Sequence, residues 1–246
     1  MSEPRPAVRP ELNAPAPRQG TAPAARLPVR FQLCVISDGR GDAARLLTTL
    51  EAALRAAPPG AVAVQLRERT LSGAALLALA ERLRVLTTRY GAALLINDRL
   101  DIALLVGADG VHLPGHGLPP QAARFTATTA GARLLVSVAC HSLDEAHRAV
   151  ADGADLITFG PIWPTPSKPE VALASGQLRV HPVGVPTLAQ VTAAMPVPVF
   201  ALGGVDDAAR AAQCALVGAR VAGIRAVLSA PDPAAAVHSL LAALQR

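Results

Sequence analysis

The chain has 246 residues, 51% of them hydrophobic and 17% charged, with a formal net charge of +5. This is the profile of a soluble globular protein with a sizeable core, and no apolar run reaches the roughly 18 residues that span a membrane. Aromatic residues make up 2% and residues 1–30 hold five Arg against two Glu, so there are neither rings to stack bases nor a basic groove, and nucleic acid is excluded as a partner.

Cys34, Cys140 and Cys214 are scattered singly, which fits a reducing compartment. The N-terminus has no apolar signal core, so a cytoplasmic protein is expected. Residues 1–28 are rich in Pro, Ala and Arg and read as a disordered extension, with 29–246 as one domain. Pro4, Pro6, Pro10, Glu3 and Glu11 argue against an organellar transit peptide.

The first expected strand is Val29–Ser37, followed by a helix over Asp42–Ala57 that Pro58-Pro59-Gly60 ends. Ala61–Glu68 is the second strand. Ser72 can N-cap a helix running to Tyr90, which Gly91 closes. Ala93–Asp98 is the third strand, with a short helix through Val106, and Asp109–Leu113 is the fourth, broken by Pro114-Gly115. Gln121–Ala130 is helical and Arg133–Cys140 is the fifth strand. Ser142 and Glu145 have the capping-box spacing for the next helix.

The sixth strand is the apolar and β-branched run Leu156, Ile157, Thr158, Phe159. It leads into a loop stiffened by Pro161, Pro164, Pro166 and Pro169, in which Thr165, Ser167 and Lys168 offer two hydroxyls and a cation to an anion. A helix over Thr187–Met195, a strand at Pro198–Gly204, a helix over Asp206–Leu216, a strand at Ala219–Ile224 and a helix over Pro233–Gln245 complete the chain.

Eight near-continuous apolar strands alternate with helices, as when both strand faces are buried. With this length, the pattern favours a closed (β/α)₈ TIM barrel over a doubly wound sheet. In such barrels chemistry sits at the C-terminal strand ends.

Several polar residues fall at those ends. Gly203-Gly204, after the seventh strand and before a helix, can let backbone N–H groups approach a phosphate, or be a plain turn. Arg225 can add a bidentate contact, or be a surface residue on a first helical turn. The run Gln65–Arg69, QLRER, suits a diphosphate or carboxylate; the alternative is a solvated strand end with an internal Arg–Glu pair. Asp98, beside Asn97, can hold Mg²⁺, cap the following helix, or do both. His141, just past the fifth strand, can carry protons near neutral pH, or be a bland helix-entry residue. His112 reads as a packed, hydrogen-bonded core residue. Cys140 and His141 are sequence neighbours and seldom face each other on a strand, which argues against a Cys–His nucleophile.

Together QLRER, LINDRLDIALLVGADGVHL, GPIWPTPSK, PVFALGGV and VAGIRAV, in this order, resemble the thiamine phosphate synthase/TenI superfamily over roughly Arg30 to Ala235. The resemblance implies a (β/α)₈ barrel in thiamine biosynthesis that binds a thiazole phosphate at its mouth. The synthase branch joins an aminopyrimidine diphosphate to the thiazole phosphate and releases diphosphate. Carried over, Gln65, Arg67, Arg69 and Asn97 grip the pyrimidine diphosphate and Asp98 is a Mg²⁺ ligand. Thr165, Pro166 and Ser167 form the thiazole-phosphate loop, Lys168 touches diphosphate, and Gly204 with Ile224 and Arg225 forms a phosphate cup. Ser137, on the fifth strand, is a further candidate substrate contact.

Three positions depart from the synthase pattern. Gly117 stands where a second Mg²⁺-binding Asp is usual, Arg69 where a Lys is usual, and Arg225 where a Ser is usual. The sister branch, the TenI-type thiazole tautomerases, moves a proton with a His in the loop after the fifth strand, and His141 falls there. The resemblance implies first a tautomerase with His141 as general acid/base and no cofactor. Next comes a Mg²⁺-dependent synthase, and third a non-catalytic binder of a thiamine precursor. The expected partners are small phosphorylated molecules; a homo-oligomer is compatible with the sequence.

Overall fold

The computed structural model describes residues 26–165 and 181–245. Eight parallel strands close in sequence order: β1 (Leu33–Ile36), β2 (Val62–Leu66), β3 (Ala93–Asn97), β4 (Gly110–Leu113), β5 (Leu135–Cys140), β6 (Leu156–Phe159), β7 (Val199–Leu202) and β8 (Arg220–Gly223). β8 pairs back onto β1, Val221 opposite Leu33, so the sheet has no edge and the protein is a (β/α)₈ TIM barrel. β6 has its expected bounds, and the other strands lie inside their expected segments and are shorter, because ladder pairing stops where the chain turns away from the cylinder.

The helices are α1 (Ala43–Arg55), α2 (Gly73–Arg89), α3 (Leu100–Leu105), α4 (Pro120–Thr129), α5 (Leu143–Ala151), α6 (Gly184–Ala194), α7 (Ala208–Leu216), α8 (Arg225–Leu228) and α9 (Pro233–Leu244). Helix starts follow their caps. Ser72 Oγ accepts from Ala75 N at 3.3 Å and Ser142 Oγ accepts from Glu145 N at 3.2 Å, the two caps expected from sequence. Each such cap contributes about 1 kcal/mol. α6 starts before the expected Thr187, and α8 is an additional turn between β8 and α9. No helix among the described residues is long and apolar enough to cross a membrane.

Alternate strand residues build two cores. Outward ones such as Val35, Val64, Ile96 and Ile157 pack under the helices, while inward ones such as Cys34, Ala63, Leu95, Leu156 and Phe200 fill the barrel. The lower end of the cylinder is sealed around Asp155, whose carboxylate accepts from Val136 N and Leu27 N at 2.8 Å and pairs with Arg124 at 2.7 Å. Residues 1–25 of the expected extension lie outside the described residues; Arg26 and Leu27 reach Val150 O and Asp155. The upper layer of inward residues sets Gln65, Asn97, His112 and Thr158 beside the apolar Ile36, Leu202 and Ala222, and it lines the floor of the site.

Candidate active site

A cavity of about 280 Å³ opens at the C-terminal strand ends, walled by Gln65, Arg67, Arg69, Asn97, His112, His116, His141, Thr158, Thr165, Gly203, Gly204, Ile224 and Arg225, among others. Ten of the residues singled out from sequence are therefore brought together: Gln65, Arg67, Arg69, Asn97, His141, Thr165, Gly203, Gly204, Ile224 and Arg225. Pro166, Ser167 and Lys168 lie outside the described residues.

On the β2 side, Gln65 is buried and its Nε2 donates to Asn97 Oδ1 at 3.2 Å, while its Oε1 has no hydrogen-bond partner. Arg67 is anchored through its backbone, whose N–H donates to Ser37 Oγ at 2.8 Å. Its guanidinium pKa is lowered, first by burial and then by the charge of Arg69. Glu68 turns away and accepts from Gly39 N at 3.1 Å and Gly41 N at 3.3 Å, the loop after β1. The internal Arg–Glu pair, the plain reading of QLRER, does not form among the described residues. Two adjacent cations that repel each other therefore face one cavity, an arrangement that an anion relieves.

At the end of β3, Asp98 takes the left-handed conformation with φ of 65°. Its side chain does not cap α3, whose N-cap is Arg99 without a side-chain bond; the helix-cap alternative is thereby corrected, because the sharp turn carries the carboxylate away from the helix axis. Asp98 stands exposed at the rim rather than in the cavity wall. A Cβ placed on Gly117 would lie 3.1 Å from Asp98 Oδ1, so the loop after β4 brings backbone, and no second carboxylate, to this point. Among the described residues no three His, Cys, Asp or Glu converge as a metal cluster. A Mg²⁺ ion takes one or two carboxylates and completes its shell with substrate phosphate and water. The donor set fits in that sparse manner, with Asp98 as its carboxylate.

His112, on β4, is buried, and its Nδ1 lies 2.8 Å from Ser137 Oγ, as expected for a packed, bonded imidazole. Burial, then the charge of Arg67, pushes its pKa down to about 4, so it is neutral at pH 7. Ser137 is 1% exposed and stands behind His112 rather than in the wall.

His141 is held from two sides. Its backbone N–H donates to Glu145 Oε2 at 2.7 Å, one residue ahead of Ser142, the N-cap of α5, and its Nδ1 lies 2.5 Å from the Gly160 carbonyl oxygen. A carbonyl oxygen only accepts, so Nδ1 carries the proton and the basic lone pair belongs to Nε2. Burial pushes the neighbouring Cys140 thiol up to about 12, which removes the thiolate that a nucleophile needs.

The loops after β6 and β7 stack closely on glycine. A Cβ on Gly203 would lie 2.6 Å from Pro161 Cβ, and one on Gly204 2.6 Å from Trp163 Cβ. Arg225, the first residue of α8, extends across this stack: Nη2 bonds Asp206 at 3.2 and 3.1 Å and Thr165 Oγ1 at 3.3 Å. The tips of β6, β7 and β8 thus form one continuous rim.

Sequence reading missed Thr158 and Asp206. Thr158 belongs to the inward set with Leu156, and a β-branched residue in an all-apolar strand carries no sequence signal of the face it takes.

A family model described as thiamine monophosphate synthase matches residues 33–227. A Geobacter sulfurreducens protein assigned as a thiamine-phosphate synthase is 46% identical over 217 residues, covering 88% of this chain and 95% of its own length. The thiamine-phosphate synthase of Anaeromyxobacter dehalogenans is 43% identical over 189 residues, 76% of this chain and 78% of its own. The solved structure of thiamine phosphate pyrophosphorylase from Pyrococcus furiosus superposes with a TM-score of 0.74 at 27% identity, covering 88% of this chain and 96% of that one. The barrel, the convergence of motifs at its mouth and these likenesses agree: the chain is an enzyme of thiamine biosynthesis and belongs to the thiamine monophosphate synthase family.

Proposed function

We propose that the protein is a thiamine phosphate synthase, joining an aminopyrimidine diphosphate to a thiazole phosphate. One observation carries this reading. The cavity has two anion grips, Arg67 with Arg69 after β2 and the Gly203-Gly204 rim with Arg225 after β7 and β8, so it can seat two phosphorylated substrates at once. In the reaction the pyrimidine CH₂–O bond breaks and its electron pair leaves with diphosphate. The thiazole ring nitrogen gives its lone pair to that CH₂, forming a C–N bond and a thiazolium cation. Charge leaves with diphosphate, so cations around it are the main catalytic need.

Arg67 and Arg69 orient and neutralise the diphosphate. Gly203 and Gly204 seat the thiazole phosphate and aim its ring nitrogen at the CH₂. Asp98 would hold Mg²⁺, which supplies further charge neutralisation of the leaving group when bound. The names of the relatives support this reading over the tautomerase.

A second reading, thiazole tautomerase, is favoured by His141. Its Nδ1–H is fixed on Gly160 O, which presents Nε2 as a base, and Gly117 offers no second carboxylate. In that reading His141 takes a proton from the thiazoline ring carbon and returns one at the exocyclic carbon. The test is a paired assay with and without Mg²⁺. Synthase predicts Mg²⁺-dependent diphosphate release only when both substrates are present, retained in His141→Ala. Isomerisation without diphosphate release, abolished in His141→Ala, would reverse the choice.

A further inference from the structure

Two side-chain atoms in the cavity floor are buried without a hydrogen-bond partner: Gln65 Oε1 and Thr158 Oγ1. Gln65 is 1% exposed and Thr158 3%. Their strands, β2 and β6, are four apart in a closed ring of eight, so the two atoms belong to opposite walls. The ladder neighbours of Thr158 are Ala139 on β5 and Phe200 on β7, and neither side chain can bond a hydroxyl. Outward-facing neighbours on β6, Ile157 and Phe159, lie in the apolar outer core. A threonine in this ring of inward residues costs stability, on the order of 1–3 kcal/mol for an unmade bond, unless a ligand completes it.

We infer that Thr158 is a specificity-determining substrate contact, bonding the edge of the aminopyrimidine ring opposite the edge that Gln65 reads. The inference rests on the synthase reading above. Gln65 Oε1 only accepts, so the ring seated there must present a donor. An aminopyrimidine has one, on its exocyclic amine; a thiazole ring, with only N and S, has none. The ring nitrogen across from that amine then accepts from Thr158 Oγ–H. A flat ring held at two opposite edges has one orientation, and its CH₂–diphosphate arm points up to Arg67 and Arg69.

The test uses the full chain with Thr158→Val, which keeps the shape and removes the hydroxyl, and Thr158→Ser, which keeps the hydroxyl. Calorimetry reads binding of the aminopyrimidine diphosphate and, separately, the thiazole phosphate; thermal unfolding reads the ligand-free protein. Thr158→Val should weaken pyrimidine binding about 10-fold, leave thiazole phosphate within about twofold, and raise the ligand-free Tm by about 2–4 °C. Thr158→Ser should keep pyrimidine binding within about threefold. Unchanged pyrimidine binding in Thr158→Val, or equal weakening for both ligands, overturns the inference while leaving the synthase reading intact. Failure of the unaltered protein to bind the pyrimidine diphosphate overturns both.

Discussion

A Cβ on Gly204 would meet Trp163 Cβ at 2.6 Å and Pro164 O at 3.0 Å, with Gly204 itself at φ of 72°. Glycine at this position is what lets the loops after β6 and β7 close into one rim. Gly204→Ala forces a left-handed alanine against backbone and should cost about 1–3 kcal/mol, read as a lower urea midpoint. Trp163 is the chain's one tryptophan, so the same substitution should shift its emission. Thiazole phosphate should then bind about 10-fold more weakly, because the cup is displaced. An unchanged spectrum and midpoint would mean that the stack gives way freely.

His112 makes stability depend on pH. Its folded-state pKa is pushed down to about 4 from an ordinary 6.5, so between those values the unfolded chain binds the extra proton. Stability from this group is complete above about pH 6.5 and falls as the pH drops toward 4, by about 3 kcal/mol at most. Denaturant midpoints at pH 7 and pH 5 should therefore differ, and His112→Asn should flatten that part of the difference. Equal slopes in both proteins would show that other groups dominate.

Arg67 and Arg69 face the cavity without a carboxylate partner from Glu68. Arg67→Ala should reduce kcat/KM for the pyrimidine diphosphate by about 10- to 100-fold, and Arg67→Lys should recover only part of it, since a single ammonium does not match the planar fork. Steady-state kinetics with each substrate varied in turn checks this; a loss confined to the thiazole phosphate would exchange the two grips.

The eight strands were legible because their apolar runs have the length and turn signals of buried parallel strands, and Ser72 and Ser142 marked helix starts directly. α8 was not, since Arg225–Leu228 is too short to show a period. In the site, QLRER and the double glycine announced themselves by composition. The partner of Glu68 did not: whether it pairs with Arg or folds onto Gly39 and Gly41 depends on the path of a loop from another strand. Thr158 was hidden for a similar reason. A β-branched residue in an apolar strand fits either face, and only closure of the barrel points it inward.

Asp98 is the carboxylate at the end of β3, and Gly117 leaves it without a second. Asp98→Asn should therefore raise the Mg²⁺ concentration for half-maximal diphosphate release by about 10-fold or more. Gly117→Ala should matter too, because its Cβ would crowd Pro114 at 2.9 Å and Asp98 Oδ1 at 3.1 Å. Identical Mg²⁺ curves for wild type and Asp98→Asn would remove this residue from the metal site.

The most direct test is a crystal structure of the protein grown with thiamine phosphate and diphosphate. Diphosphate oxygens should lie within hydrogen-bond distance of Arg67 and Arg69, and the ester phosphate of the other ligand should rest on Gly203 and Gly204. Both ligands bound at one grip, or either one seated outside the mouth of the barrel, would contradict the account.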